Sequence, residues 1–317
     1  MGHPLLCGSL LCLALALGGC QANLPPLPAW QSSEGRDNAE LGQIHDLASG
    51  QVISPEQLVE RLAHAPRVLI GEKHDNPDHH ALQLWLMRAL QLRRAQGSLL
   101  LEMLQPEQQA GVDALAGRAQ LPQDLPKALA WDDGWDWQLY GPIVREALQH
   151  HVPLLAANLS PTEMRQAYRH PAVMSGTHSN APAVRAALLE QVKQGHCGLL
   201  PESQLPAMLA VQQQRDRRIA ERLLAAPQPA LLLAGSFHVR KDLGCLCTLP
   251  ILARRARAKW CCWPKRVSRS KAGWPTLSGT RRRCPSRTTA RSCANSKDAS
   301  GRGEPAGKKR PGKMPGQ

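Results

Sequence analysis

The sequence predicts an α/β fold: a parallel sheet flanked by helices, with a helical insertion subdomain. Two observations predict it. Short apolar runs alternate with helical patterns, and each run is continuously apolar, as is typical of strands covered on both faces. Helices between such strands form the right-handed crossovers of a parallel sheet. The runs are Arg67–Gly71, Ser98–Glu102, Val152–Ala157 and Ala230–Gly235.

Helical patterns connect these runs. Leucines recur every fourth residue from Leu82 to Leu90, directly after the start signal Pro77-Asp78, which predicts an amphipathic helix between the first two runs. The long stretch 182–226 predicts two helices hinged near residues 195–206. This stretch is the predicted helical insertion.

The amino terminus is predicted to be a targeting segment. The apolar run Leu5–Leu17 is too short to span a membrane as a helix and leads into LGGC, which resembles the lipobox of bacterial lipoproteins. The resemblance implies a signal peptide over residues 1–19 and lipidation of Cys20, and an ordinary cleaved signal peptide is the alternative. Residues 20–42, rich in Pro, Ser and small residues, are predicted to tether the anchor to a domain over residues 43–244.

The tail, residues 245–317, differs from the rest of the chain in composition. It carries 19 Lys and Arg against two acids, a net charge of +17, whereas residues 1–244 have a net charge of −3. If the gene is read from one base earlier, its codons permit Val-Val-Leu-Leu-Ala, a buried-strand sequence, in place of Lys259–Trp263. The tail is therefore interpreted as a frameshifted, out-of-frame translation, and its low apolar content and high charge predict disorder.

A basic tail could instead bind nucleic acid or an anionic membrane. The sequence does not favour nucleic acid, because only three tryptophans are interleaved with the basic residues and the cysteines lack zinc-ligand spacing. No nucleic-acid partner is predicted.

Polar residues follow the predicted strands where each one ends. Glu72 and His74 follow the first strand, Glu102 closes the second, Asn158 follows the third and His238 the fourth. Ligands bind in the crevice outside the carboxyl ends of parallel strands, so these residues predict a pocket. Two carboxylates with two histidines suit a divalent metal or water activated by a general base. No HExxH sequence is present, which excludes the usual helical zinc site.

The chain resembles the ChaN-like haem-binding lipoproteins, which include haem-uptake lipoproteins of pseudomonads. The matching stretches, from about residue 52 to residue 244, are VLIGEKHDNPDHH, LLLEML, WDDGWDWQLYGPIV, VPLLAANLS, LPAMLAVQQQRDRRIAERL and LLLAGSFHVRKDLG. The resemblance implies a parallel α/β domain with a helical subdomain. It also implies haem held between two protomers, with a tyrosine on the iron and a histidine and a lysine near the propionates. The wider superfamily includes TIKI-type metal-dependent proteases and erythromycin-esterase-like hydrolases.

The haem contacts implied by the resemblance can be sought among a few residues. The chain has only two tyrosines. Tyr168 is favoured as the iron ligand over Tyr140, because Tyr140 lies in an aromatic segment where a structural role is commoner. Phenolate is a hard anionic donor suited to ferric haem, and cations offset the propionates. The other candidates are Lys73, Lys241, His74, His170 and His178.

The resemblance predicts a lipoprotein of the outer membrane that faces the periplasm, binds haem as a homodimer and passes it to a haem transport system in iron uptake. The first alternative is a metal-dependent esterase or protease. The second is a binding protein for another hydrophobic anion. The absence of a GxSxG motif weakens the enzyme hypothesis. The hydrolase would use Glu72, His74, Glu102 and His238.

Overall fold

The computed structural model describes residues 23–171, 179–196 and 198–245, together with the backbone of the strand at 258–262. The predicted signal peptide, Cys20, His178 and most of the tail lie outside the described residues. The described strands are β1 (Ile44–Asp46), β2 (Gln51–Ile53), β3 (Arg67–Glu72), β4 (Ser98–Leu101), β5 (Leu154–Ala156), β6 (Ala230–Gly235) and β7 (Ala258–Cys262). The described α-helices are α1 (Pro55–Ala63), α2 (Pro77–Gln91), α3 (Gln109–Leu115), α4 (Leu125–Ala128), α5 (Trp137–Gln149), α6 (Pro161–Arg169), α7 (Pro182–Gly195) and α8 (Leu205–Ala225).

Five of these strands form one parallel sheet in the order β5-β4-β6-β3-β7, and β1 pairs antiparallel with β2. Every residue of β3, β4 and β6 is buried. Helices therefore cover these strands on both faces, which explains why their sequences are continuously apolar. The predicted parallel sheet flanked by helices is confirmed.

The sheet separates two hydrophobic cores because successive residues of a strand point to opposite faces. Ile70 of β3 belongs to the core that contains Leu86 of α2 and Val144 of α5. Its neighbour Leu69 belongs to the core on the other face, with Leu223 of α8. The helix α8 thus forms part of the layer that covers one face of the sheet.

The helical insertion consists of α7 and α8. Near its start, α8 packs on α6 and α7, where Met208 and Val211 contact Ala167 and Val192. Its second half lies on the sheet. A single helix therefore connects the insertion to the strands, and residues in its middle lie close to both.

The amino-terminal segment is docked on the domain, whereas the sequence predicted a tether over 20–42. Leu24 packs against the main core, and the indole nitrogen of Trp85 donates to the backbone oxygen of Pro25 at 2.8 Å. The backbone amides of Gln31 and Ser32 donate to the carboxylate of Asp78 at 2.6 and 3.1 Å. We call residues 23–34 the strap. Among the described helices, none is long and apolar enough to cross a bilayer.

Part of the tail also differs from the prediction of disorder. The strand β7 pairs in parallel with β3 and places Lys259 opposite Val68. Backbone pairing requires only N–H and C=O groups, and the outer side of β3 offers them whatever side chains the neighbouring strand carries. Four of these five residues, 259–262, fall where the alternative frame predicts an apolar strand, and the frameshift itself stays a prediction.

Candidate functional site

The carboxyl ends of β3, β4 and β6 meet at one edge of the sheet. Glu72 ends β3, Glu102 follows β4, and β6 pairs with both strands. The backbone amide of Gly235 donates to Oε2 of Glu102 at 2.8 Å, and the amide of Ser236 donates to the backbone oxygen of Glu72 at 2.8 Å. Asn158, after β5, donates to the backbone oxygen of Glu102 at 2.8 Å. The predicted convergence of polar residues is therefore present.

Glu72 is fully enclosed and accepts three hydrogen bonds. Its Oε1 accepts from the hydroxyl of Tyr140 at 2.5 Å and from Nδ1 of His74 at 2.8 Å. Its Oε2 accepts from the amide of Gln83 at 2.6 Å, and Nδ1 of His80 lies 3.5 Å away. Burial alone would raise the pKa of Glu72, but His74, His80 and Tyr140 outweigh it and lower that pKa. Glu72 is therefore an ionised carboxylate with its oxygens engaged.

Glu102 anchors a second charged cluster. Nε2 of His238 lies 3.3 Å from its Oε1, and Nη1 of Arg215 lies 3.5 Å from the same atom. Burial would raise the pKa of Glu102, but the basic neighbours, His238 first among them, hold it at about 2. On the other side of His238, Nδ1 lies 2.8 Å from Oδ1 of Asp216. Burial lowers the pKa of His238, yet these two carboxylates raise it above its ordinary value.

His74 is the part of this site that reaches the surface. Its side chain is 41% exposed, and its ring contacts Trp135 edge-to-face with ring centres 4.9 Å apart. A Cβ placed on Gly235 would lie 2.7 Å from its Nε2. Burial lowers the pKa of His74, but the hydrogen bond to Glu72 and the charge of Glu102 raise it overall. Because Nδ1 is bound to Glu72, Nε2 is the atom available to a ligand.

Arg215 adds a cation from the middle of α8. Its guanidinium nitrogens make long hydrogen bonds of 3.5 Å to Glu102 and 3.4 Å to Gln212, and one lies 3.3 Å from the sulfur of Met164. Its buried Nε has no hydrogen-bond partner among the described residues. A guanidinium with an unsatisfied N–H can donate to a further anionic oxygen. Arg215 therefore suits a carboxylate-bearing ligand.

Lys73 lies beside His74 on the loop between β3 and α2. Its ammonium is 3.2 Å from Glu34 of the strap and 3.4 Å from Asp75. Its backbone amide donates to Nδ1 of His79 at 2.8 Å, and burial lowers the pKa of His79 to about 4. His79 is thus neutral at neutral pH, and Lys73 supplies positive charge on this loop.

Tyr140 is a buried anchor of the site. It packs edge-on against His80 and Trp135, with ring centres 4.6 and 5.9 Å apart, and donates its hydroxyl hydrogen to Glu72. Burial, followed by the charge of Glu72, raises its pKa far above the ordinary range. Tyr140 therefore keeps its proton.

The remaining sequence candidates lie elsewhere on the fold. Tyr168 is half-buried on α6, His170 is an exposed residue at the end of that helix, and Lys241 is exposed after β6. Within the described residues, neither Tyr168 nor His170 hydrogen-bonds to the five residues predicted to form the pocket. His178 lies outside the described residues. The side chains around Tyr168 are those of Ala167, Val192, Met208 and Val211.

The donor arrangement gives no support to a metal-dependent hydrolase. Among the described residues, no group of three or more His, Cys, Asp or Glu is arranged to hold a metal ion. Glu72 is engaged by three donors, and Glu102 by an amide, an imidazole and a guanidinium. Both carboxylates orient basic side chains around them.

Four polar residues of the site were not predicted: His80, Gln83, Arg215 and Asp216. A signal for two of them is present in the sequence. Gln83 lies three residues before the buried Leu86 on α2, and Asp216 lies seven residues after the buried Leu209 on α8, so both fall on the face of a helix that packs inward. A polar residue on an otherwise apolar face marks a buried polar contact. Arg215 falls within a run of charged residues, where no such signal separates it from its neighbours.

Comparison with known families decides the assignment. The profile described as haem-binding uptake, Tiki superfamily, ChaN matches residues 58–249, more than half of the chain. The chain belongs to this family. Among solved structures it is similar to one described as cofacial heme binding to ChaN of Campylobacter jejuni, with 28% sequence identity, a TM-score of 0.65, and coverage of 69% of this chain and 89% of that chain. No curated protein matches it.

The ChaN-family match includes both charged clusters, since Glu72, Glu102, Arg215 and His238 all fall between residues 58 and 249. The resemblance stated from the sequence motifs is confirmed, as is haem as the cofactor characteristic of the family. The strap residues 23–34 precede the matched region. They are a feature of this chain outside the family profile.

Proposed function

We propose that this protein is a membrane-anchored lipoprotein that binds haem at the carboxyl edge of its sheet for iron uptake. The observation that carries the proposal is the setting of His74. A buried carboxylate fixes its Nδ1, its side chain is 41% exposed, and its ring contacts Trp135 edge-to-face beside the loop cation Lys73. Membership of a haem-binding uptake family supports the same conclusion.

The residues present fit haem. An aromatic wall such as Trp135 suits the apolar macrocycle, and guanidinium or ammonium groups pair with propionate carboxylates. The half-buried Arg215 supplies a donor of the required kind, its Nε, which has no partner among the described residues. When bound, haem supplies the iron, and these side chains would orient the macrocycle and neutralise its acidic edge.

Tyr168 is the proposed tyrosine ligand. A phenol that binds ferric iron gives up its proton, and Tyr140 is held protonated by its burial and its bond to Glu72. Tyr168 is half-buried and is the only other tyrosine of the chain. Because it lies on α6, away from the hydrogen-bonded network, we propose that it completes a site shared between two protomers. His170, His178 and Lys241 remain candidates for the propionate edge.

Lipidation of Cys20 is the proposed means of attachment to the outer membrane, with the domain in the periplasm. The sequence LGGC at the end of an apolar run supports this proposal. A haem transport system would then be the partner that receives the ligand. The homodimer, the lipid anchor and the transport partner are parts of the proposal.

A haemin titration of the full mature chain, followed by the Soret absorption, tests the proposed function. We expect saturable binding with one haem per chain. Replacing His74 by Ala should raise the Kd about tenfold or more, because one contact to a charged group contributes ~1.5–3 kcal/mol. The exposed His64 on the surface provides a matched control, and His64→Ala should bind as the parent does.

Absence of saturable binding in the parent would overturn the proposal. A chelator-sensitive esterase or protease activity that depends on Glu72 would favour the hydrolase instead. An equal Kd for His74→Ala and His64→Ala would leave haem binding intact but place it away from the edge of the sheet.

A further inference from the structure

We propose that the strap holds the haem site against the bilayer, and that the partner of its outer face is a lipid surface. This inference rests on the proposed lipidation of Cys20. A flexible tether over 20–42 would let the domain move freely above the membrane. The docked strap removes that freedom, because it fixes the chain to the domain within a few residues of the anchor.

The strap runs along α2 in the opposite direction to the helix. Pro25 is bound beside Trp85, and the amides of Gln31 and Ser32 are bound at Asp78, near the start of the helix. Asp78 and Trp85 are seven residues apart, so these two anchor points are separated by ~10 Å along the helix axis at ~1.5 Å per residue. The strap is therefore attached at two distinct points.

A third attachment brings the strap to the haem site. The carboxylate of Glu34 lies 3.2 Å from the ammonium of Lys73, the residue next to His74. The strap thus begins at the middle of α2 and ends on the loop that carries the proposed haem contacts. The position of the site relative to the anchor is fixed by this path.

The length of chain between Cys20 and the first docked residue sets the distance to the membrane. Leu24 packs in the main core, and four residues of fully extended chain span at most ~14 Å. If residues 20–42 were a free tether, the same rule would allow ~75 Å. The docked strap therefore keeps the face of α2 that it covers close to the bilayer surface.

The exposed face of the strap suits a lipid partner. No residue between Asn23 and Ser33 is charged, and the strap exposes Pro26, Leu27 and Ala29. Leu27 is 52% exposed, among the larger exposed fractions of any apolar residue described. Three prolines stiffen this segment and leave few backbone donors to desolvate. The apolar part of the strap, residues 25–29, lies next to the acyl anchor in the chain, and the cation of Arg36 binds the backbone oxygens of Trp30 and Ser32 just beyond it. An apolar segment with a neighbouring cation fits the headgroup boundary of a bilayer.

Energy transfer from the membrane to the bound haem tests this placement. The full lipidated protein would be reconstituted in phosphatidylcholine vesicles that contain a headgroup-labelled fluorescent lipid whose emission overlaps the haem absorption. Bound haem near the bilayer should quench that emission strongly. A spacer variant, with a flexible Gly-Ser insertion of about 20 residues between Ala22 and Asn23, keeps the anchor and the strap but separates them. It should bind haem with the same Kd and quench severalfold less.

Equal quenching by the parent and the spacer variant, at equal haem occupancy, would overturn the inference. A parent that binds no haem in the absorption titration would instead overturn the proposed function. In that case, hydrogen exchange measures the docking of the strap separately. The amides of Gln31 and Ser32 should exchange slowly in the parent and faster in Asp78→Asn. Equal exchange in both proteins would show that the strap is not held, and the inference would fail independently of haem.

Discussion

The hydroxyl of Tyr140 donates a 2.5 Å hydrogen bond to Oε1 of Glu72, a residue 68 positions earlier in the chain. The same oxygen accepts from Nδ1 of His74. A tyrosine in the middle of the domain is thus linked to the orientation of a histidine at its surface. This relationship separates the roles of the two tyrosines.

Removing each tyrosine hydroxyl should have different effects on the haem spectrum. Tyr168→Phe should abolish the high-spin ferric spectrum with tyrosinate character, because Tyr168 is the proposed ligand. Tyr140→Phe should retain it, because Tyr140 keeps its proton for Glu72. Absorption and resonance Raman spectra of the two variants provide the measurement. Loss of the signal only in Tyr140→Phe would reverse the assignment, and its retention in both would exclude tyrosine ligation.

The two substitutions should affect the free energy of unfolding in the opposite order, with Tyr140→Phe destabilising the protein more than Tyr168→Phe. Tyr140→Phe leaves the buried Glu72 with one donor fewer, and such a loss at a charged group destabilises by ~1.5–3 kcal/mol. Tyr168→Phe removes a hydroxyl from a half-buried position and should change the free energy of unfolding by less than about 1 kcal/mol. Urea unfolding of the apo protein measures both. Equal destabilisation by the two changes would contradict the anchoring role of Tyr140.

Arg215 should contribute to haem affinity more than its neighbour two residues along α8. Arg215→Gln removes the half-buried cation beside Glu102 and should weaken haem binding about tenfold. Arg217→Gln is the matched control, since Arg217 lies on the same helix but pairs with Glu221 near the surface. Isothermal titration with haemin compares them. If the two variants bind haem equally, Arg215 does not hold a propionate.

Glu102 predicts a dependence of stability on acidity. Its pKa is about 2 in the folded protein and about 4.3 in an unfolded chain. A group with a lowered folded pKa contributes stability above the unfolded pKa, and that contribution is lost as the pH falls from about 4 towards 2. Glu102→Gln should therefore be less stable than the parent at pH 5 and lose less stability on acidification. Unfolding curves at several pH values test this, with Glu60→Gln, an exposed change, expected to follow the parent.

The tail offers a test of the reading frame. Replacing Lys259–Trp263 by Val-Val-Leu-Leu-Ala should raise the midpoint of thermal unfolding, because β7 lies beside the fully buried β3 and apolar side chains stabilise such a strand by ~1.5–3 kcal/mol each when buried. Sequencing the gene decides the frame directly. A replacement that leaves the midpoint unchanged would mean that β7 contributes little to the domain.

The sequence predicted the sheet and its polar edge because both depend on local patterns. A continuous apolar run marks a buried strand, and the polar residue after it marks the end of that strand. The strap could not be predicted in this way, because a proline-rich segment has the composition of a linker. Its docking depends on Asp78, which is 46 positions from Ser32 and whose carboxylate is turned towards the strap only in the folded chain. The strand β7 lies where only the alternative reading frame predicts a strand, because backbone pairing, and not the printed side-chain pattern, places it beside β3.

At Gly235, the space for a side chain, and not charge, restricts which residue the site can hold. It needs to be glycine for reasons of space, since a single methyl group would press on Nε2 of His74 at 2.7 Å and approach Oε2 of Glu102 at 3.5 Å. A larger residue at this position would therefore displace the ligand-facing imidazole of His74, even where the strand itself tolerates the substitution. Gly235→Ala should therefore lower haem affinity while every charged residue of the site is unchanged.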